Sequence, residues 1–192
     1  MEVLTGAEEL ATLKAQDGRT YSFRTLHSED SRLIVQFYSS LDSVSLYYRF
    51  LGVFKDFEGH ARRLFSSECN YAIGAFYGGQ MVAVGEGFSD CRHAELAFAV
   101  MPEHRRRGLA TVMAALLILE AYRRGFETME AYMHPDNYAA VKIGDRLGLN
   151  MCPEDDVLHG KARLSDIKDL AVKAIYEKGG ALSSNYLSGL AV

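Results

Sequence analysis

The stretch Ala94–Thr111, AELAFAVMPEHRRRGLAT, constrains this chain more than any other. It reads as a short apolar strand, a turn containing proline, three arginines, and Gly-Leu-Ala at the head of a long apolar helix. A helix that begins straight after a strand presents unpaired backbone N–H groups and the positive end of its dipole, which together can hold an anion such as a pyrophosphate. Gly108 lacks a Cβ and lets the backbone approach such an anion closely. Arg105, Arg106 and Arg107 offer charge for further phosphate oxygens. No Gly-Lys-Ser/Thr follows, and there is no Gly-x-Gly-x-x-Gly, so this is neither a Walker A loop nor a dinucleotide fingerprint.

Strand alternation puts Leu96, Phe98 and Val100 on one face and Glu95, Ala97 and Ala99 on the other. The first face is bulky enough to pack on a helix. The second is sparse, with a carboxylate at one end and room for an extended ligand. Pro102 cannot donate to a sheet ladder, so pairing is expected to break near Met101. A strand that parts from its neighbour exposes N–H and C=O groups that a ligand with amide bonds can satisfy. The helix that follows is apolar nearly all round (Leu109, Val112, Met113, Leu116, Leu117, Leu119), which predicts a central buried helix.

Around this segment the pattern alternates hairpins and helices. Leu10–Ala15 and Thr20–Leu26 flank an Asp17-Gly18 turn, and Tyr71–Tyr77 and Met81–Phe88 flank Gly78-Gly79. Between the hairpins, helices are expected over Glu29–Leu41 with Ser28 as N-cap, over Val44–Leu51 and over Phe57–Ser66. After the arginines come a helix over Leu109–Arg124, a strand over Thr128–Met133, and a helix over Asn137–Leu147 stopped by Gly148. A strand over Val157–Leu164 and a helix over Ser165–Glu177 close the pattern, and the tail 179–192 has no assignable element. Hairpins followed by β-α-β-α predict an α+β (or α/β) fold, a mixed sheet with helices on both faces. No repeat or low-complexity linker divides the 192 residues, so one domain is expected over 1–192, with a core of about 18–164 and a C-terminal helix and tail over 165–192.

Composition narrows the classes of partner. The net charge of −4 offers no surplus of positive charge for nucleic acid. No apolar run approaches the roughly 20 residues that span a bilayer, and MEVLTGAEEL lacks a secretory leader's pattern, which points to a cytoplasmic protein without a membrane role. Cys69, Cys91 and Cys152 are scattered without CxxC spacing and are expected to be reduced buried thiols; no metal site is expected. Leu187, Leu190, Ala191 and Val192 suggest that the tail packs on something, a second copy in a homodimer being one choice.

Arg105-Arg106-Arg107-Gly108-Leu109-Ala110, between that strand and that helix, resembles the Q/R-x-x-G-x-G/A signature of the GNAT acyltransferases, and the likeness runs from about Gly18 to Leu149. The resemblance implies a three-layer fold with a mostly antiparallel sheet splayed after the strand ending near Met101. It implies acetyl-CoA as the acyl donor, with Phe98, Ala99 and Val100 against pantetheine, Arg105, Arg106, Arg107, Gly108, Leu109, Ala110 and Thr111 at the pyrophosphate, and Asn137 near the thioester. Asp17-Gly18 and Ser45-Leu46-Tyr47-Tyr48-Arg49-Phe50 resemble, more narrowly, the catalytic domain of bacterial protein lysine acetyltransferases, which makes a protein lysine the expected acceptor. A small amine or amino acid is the alternative acceptor, and a non-catalytic acyl-CoA-binding module the alternative of another class.

Direct transfer to an amine needs a base, because a lysine of pKa about 10.4 is only ~0.04% neutral at pH 7, a handicap of about 4–5 kcal/mol. Glu95 is the candidate base, by its place on the sparse face and by its match to the family's glutamate, with Glu86 on the neighbouring strand as substitute. The oxyanion is expected at a backbone N–H near Ala99 or Val100. Many members of the superfamily carry a tyrosine acid where this chain has Gly144; Tyr132 or a water could take that part, or the thiolate could leave unaided. His104 and His134 are read as polar surface, and His93 beside Arg92 is given no role.

Overall fold

The computed structural model describes residues 8–190. The first hairpin is β1 (Glu9–Lys14) and β2 (Thr20–Leu26), joined through Gly18 with its φ of 85°. Three short helices follow: α1 (Ser31–Ser40), α2 (Ser43–Phe50) and α3 (Phe57–Leu64). A 3-10 turn over Ser28–Asp30 precedes α1, so Ser28 is not its N-cap; Asp30 accepts from the His27 N–H at 3.0 Å and pairs with both terminal nitrogens of Arg24 at 2.9 Å. α2 starts where Asp42 accepts the Ser45 N–H at 2.9 Å, an ordinary N-cap.

The second hairpin is β3 (Tyr71–Tyr77) and β4 (Gln80–Ser89), and β5 (His93–Val100) runs back along β4. Then come α4 (Leu109–Arg123), β6 (Thr128–Met133), α5 (Tyr138–Arg146), β7 (Asn150–Glu154), β8 (Val157–Arg163), α6 (Leu164–Glu177), β9 (Gly180–Leu182) and α7 (Ser184–Leu190). The described strands form one sheet in the order β7-β8-β6-β5-β4-β3-β2-β1-β9. Every pairing is antiparallel except β5 with β6. The expected α+β class and mixed sheet are therefore found. β7 and β9 went unread in the sequence because Asn150–Glu154 is mostly exposed and Gly180–Leu182 is only three residues long.

The two sheet faces are covered differently. α4 crosses β3, β4 and β5, and twelve of its residues are buried, as the all-round apolar pattern requires. Gly85 makes that crossing possible, since a Cβ there would lie 2.6 Å from Met113 Sδ and 2.9 Å from Leu117 Cδ1. α6 packs beside α4, while α1 and α2 lie over the opposite face on β4 and β5. In the tail, Tyr186 is fully buried and Leu190 packs on the core, whereas Leu187 stays exposed. Ala191 and Val192 lie outside the described residues. No described helix is long and apolar enough to cross a membrane.

The cysteine expectation is corrected. Cys69 and Cys91 are paired as a disulfide, with Cα atoms 5.1 Å apart, and Cys152 is an exposed thiol. Chain spacing could not show this pair, because the β3–β4 hairpin brings together loops 22 residues apart in sequence.

Candidate active site

The site is built on the parting of β5 from β6. Only His93, Ala94 and Glu95 pair with β6, opposite Thr128, Met129 and Glu130. Beyond Glu95, β6 stays with β8 as far as Met133 and β5 stays with β4 as far as Val100, so a gap opens between them. Met101 donates its N–H to Val82 O at 2.9 Å, on the β4 side. Alternation then turns Ala97 and Ala99 toward β4 and the N–H and C=O groups of Leu96, Phe98 and Val100 toward the gap. Arg105 Nε donates to Val100 O at 3.0 Å, in keeping with that direction. Of the two expected oxyanion donors, Val100 therefore faces the gap and Ala99 faces β4.

Leu96, Ala97 and Phe98 line a cavity with Leu117 and Ile118 of α4, Tyr132 of β6 and Gly144 of α5. Asn137 reaches the same cavity while its Oδ1 accepts the Ala140 N–H at 3.3 Å, capping α5. Gly144 is small for a reason: a Cβ there would stand 3.1 Å from Met151 Cε and 3.7 Å from Met133 Cε. A tyrosine side chain at this position would meet both methionines and fill the cavity. Two phenols line it, Tyr48 of α2 and Tyr132, the latter stacked on His159 with ring centroids 4.2 Å apart. Burial first, then the charges of Glu130, Glu154 and Glu95, raise the Tyr132 pKa and keep the phenol protonated. His159 is fixed in turn by Glu154 on Nδ1 at 2.6 Å and Glu130 on Nε2 at 2.9 Å.

The two candidate carboxylates have opposite environments. Glu95 is exposed, sits at the last paired position of the gap, and has no side-chain partner among the described residues. It makes no ion pair with Arg92, which binds Glu127 at 2.6 Å. Glu86 is fully buried and accepts from Tyr38 Oη at 3.0 Å, from His60 Nε2 at 2.8 Å and from Arg49 Nη2. Burial alone would raise its pKa; Arg49, His60 and Tyr38 together hold it below the usual carboxylate range. A carboxylate so enclosed cannot reach an incoming amine, so Glu86 is a structural charge and not the substitute base. The sequence placed it correctly on the neighbouring strand. It could not show the three partners, which come from α1, α2 and α3.

His93, His104 and His134 are absent from the cavity lining. His93 Nδ1 is 2.6 Å from Thr128 Oγ1, His104 Nδ1 is 3.2 Å from Tyr21 Oη, and His134 packs against Tyr47 and Tyr48. In the aromatic stretch of α2, the half-buried Phe50 packs against the core and stacks on Phe54 at 4.2 Å, while Tyr48 and Arg49 line the cavity.

At the head of α4, Gly108 adopts a φ of 88° and the first intrahelical bond runs from Val112 N–H to Gly108 O at 3.0 Å. The N–H groups of Leu109, Ala110 and Thr111 therefore have no partner within the helix. The three arginines divide their work. Arg105 Nη2 donates to Ser45 Oγ at 2.5 Å, so its guanidinium ties α2 to the end of β5. Arg107 donates to Asp17 at 2.6 Å and to Glu103 O at 2.7 Å. Arg106, with a φ of 63°, has no side-chain partner among the described residues. Arg105, Arg106, Arg107 and Gly108 share a depression with Asp17 of the first hairpin and Lys178 at the end of α6. Lys178 had no signal in the sequence, being 70 residues from Gly108, yet its stem stands 3.3 Å from where a Gly108 Cβ would be.

Known proteins carry the same architecture. The GNAT domain of a Streptomyces lividans protein acetyltransferase (PAT) superposes with a TM-score of 0.71 at 23% identity, covering 80% of this chain and 96% of that one. A putative acetyltransferase (yncA) of Salmonella typhimurium, solved with acetyl-CoA, gives 0.61 at 18% identity, covering 75% and 94%. The spermidine N-acetyltransferase of Vibrio cholerae, solved with CoA and spermine, gives 0.63 at 15%, covering 76% and 96%. The sequence profile of the acetyltransferase (GNAT) family matches residues 32–149, the span from α1 through the gap, the α4 head and α5. With that match over more than half its length, around a splayed strand and an open helix head, the chain belongs to the acetyltransferase (GNAT) family.

Proposed function

We propose that this N-acetyltransferase moves the acetyl group of acetyl-CoA onto the side-chain amine of a lysine in another protein. One observation carries the reading: the gap opens at Glu95, an exposed carboxylate without a side-chain partner among the described residues, at the edge of a cavity lined by Leu96, Ala97 and Phe98. Acetyl-CoA supplies an activated thioester and an anionic tail. The N–H groups at the α4 head, with Arg106, Lys178 and Arg107, take the pyrophosphate end. The gap-facing groups of Leu96, Phe98 and Val100 take the amide-bearing arm, and Asn137 stands at the far side of the cavity. Glu95 accepts the ammonium proton, directly or through one water, and a gap-facing N–H stabilises the oxyanion. Tyr132, held protonated, is the phenol closest in chemistry to a donor for the departing thiolate.

The protein-lysine acceptor is supported by the likeness to the S. lividans domain and by the open approach to Glu95. Incubation with acetyl-CoA and a panel of lysine-bearing proteins, free amino acids, spermidine and spermine tests it, with thiol release and peptide mass spectrometry as readouts. The reading expects acetyl-lysine in protein acceptors at the higher kcat/KM. A higher kcat/KM for spermidine or a free amino acid would replace it with the small-amine reading.

Gly108→Ala tests the anion site. At φ 88° an alanine is strained by roughly 1–2 kcal/mol, and its Cβ meets the Lys178 stem. If that strain displaces the helix head by relaxation, CoA binding weakens by about tenfold, since each 1.4 kcal/mol is one decade. Isothermal calorimetry with CoA is the check, and an unchanged Kd would remove Gly108 from the anion site.

A further inference from the structure

Arg49 is the cavity-lining group that the transfer chemistry leaves unused. Its side chain, in the last turn of α2, is only 8% exposed. Nε donates to Tyr38 Oη at 3.1 Å, Nη2 donates to Glu86, and the guanidinium carbon lies 4.7 Å from the centre of the Phe50 ring. Glu86 is itself held by Tyr38 and His60. Nη1 has no partner among the described residues, and Arg49 lines the same cavity as Ala97, Phe98 and Tyr132. A buried guanidinium–carboxylate pair seldom outdoes apolar packing as a source of stability. What this one achieves is a single fixed pose, with one N–H₂ edge left for a ligand.

The sheet register says which ligand. Glu86 pairs with Ala97 across β4 and β5, and Glu95 follows two residues back on the same face. Arg49 is thus anchored over Ala97, about 7 Å along the strand from the proposed base. That is also roughly the reach, about 7 Å, from a lysine Nζ to its own main-chain carbonyl through six single bonds. The charge of Arg49 is already balanced by Glu86, so its free edge suits a neutral carbonyl oxygen better than a carboxylate, which would feel Glu86 behind the guanidinium.

We propose that Arg49 Nη1 donates a hydrogen bond to the main-chain carbonyl oxygen of the lysine being acetylated, which selects lysine within a peptide over a bare alkylamine or a free amino acid. The inference rests on the protein-lysine reading. Its test uses three acceptors: Nα-acetyl-lysine methylamide, the matching methyl ester, and n-butylamine. An ester carbonyl accepts hydrogen bonds less well than an amide, and butylamine has no carbonyl.

With the wild-type enzyme, kcat/KM is expected to fall about fivefold in all from amide to butylamine, with the ester in between, as expected for one hydrogen bond worth ~1 kcal/mol. Arg49→Lys keeps a cation beside Glu86 and is expected to lose the amide-over-ester preference through a raised acceptor KM, with the Kd for CoA unchanged. Equal kcat/KM for amide and ester in the wild type overturns the proposal without any variant. So does a preference that survives in a folded Arg49→Lys protein, or acetylation of intact proteins with no turnover of the methylamide. Turnover of spermidine or free amino acids with no lysyl acceptor at all would instead overturn the reading beneath it.

Discussion

Glu95→Gln is expected to lower the kcat for acetyl transfer by about 10²-fold at pH 7, the usual worth of a positioned general base. Glutamine keeps the size and a hydrogen-bonding oxygen but cannot take a proton from an ammonium group. The handicap to be overcome, about 4–5 kcal/mol for a lysine at neutral pH, then falls on solvent alone. Because Glu95 is exposed and has no side-chain partner among the described residues, the change leaves packing untouched. Thermal stability and the Kd for CoA should match the wild type. Steady-state kinetics between pH 7 and 10 provide the sharper check, since the deficit should shrink as the acceptor deprotonates unaided. A kcat within twofold of wild type across that range would remove Glu95 from the mechanism.

Glu86→Ala is expected to have the opposite signature, a loss of roughly 3–5 kcal/mol of stability, because it leaves the buried Arg49 charge without its counter-ion. For a chain of this size that corresponds to a fall in Tm of about 6–20 °C. Tyr38 and His60 lose their acceptor at the same time, and His60 Nδ1 is already buried without a partner among the described residues. The sign of the pH dependence follows from the same contacts. The folded-state pKa of Glu86 lies below its unfolded value. Its stabilisation is therefore complete above about pH 4.3, the ordinary glutamate value, and is lost as pH falls through the lower, folded-state value. Melting curves from pH 7 to 3 should show the wild type losing this increment at the acid end. Glu86→Gln, having no charge to lose, should lack that step. A wild-type Tm in Glu86→Ala would show that the network contributes nothing to stability.

The paired predictions separate two glutamates that the sequence could only rank. Both lie on neighbouring strands, and neither spacing nor residue type distinguishes a base from a buried counter-ion. What distinguishes them is the cover: α1, α2 and α3 lie over Glu86 and supply a phenol, a guanidinium and an imidazole, while Glu95 lies beyond them at the mouth of the gap. The arginine triplet teaches the same lesson. Its position at a helix head was plain from strand, turn and glycine order, because those are local preferences. Its division of labour depended on Ser45, Asp17 and Lys178, which are near only after folding. The disulfide was hidden for the same reason.

Local chemistry written along the chain is enough for the strand, the glycine-headed apolar helix, the alternation that isolates Glu95 on a sparse face, and the hairpins around them. Those follow from periodicity of 2 and 3.6, from φ restrictions and from the unpaired N–H groups of a helix start. Long-range packing settles where β5 leaves β6, which carboxylate stays open, which arginine has no side-chain partner among the described residues and which guanidinium lines the cavity. Each is a contest among groups distant in sequence for the same hydrogen bonds and the same buried space, and that contest has no outcome until the sheet brings them together.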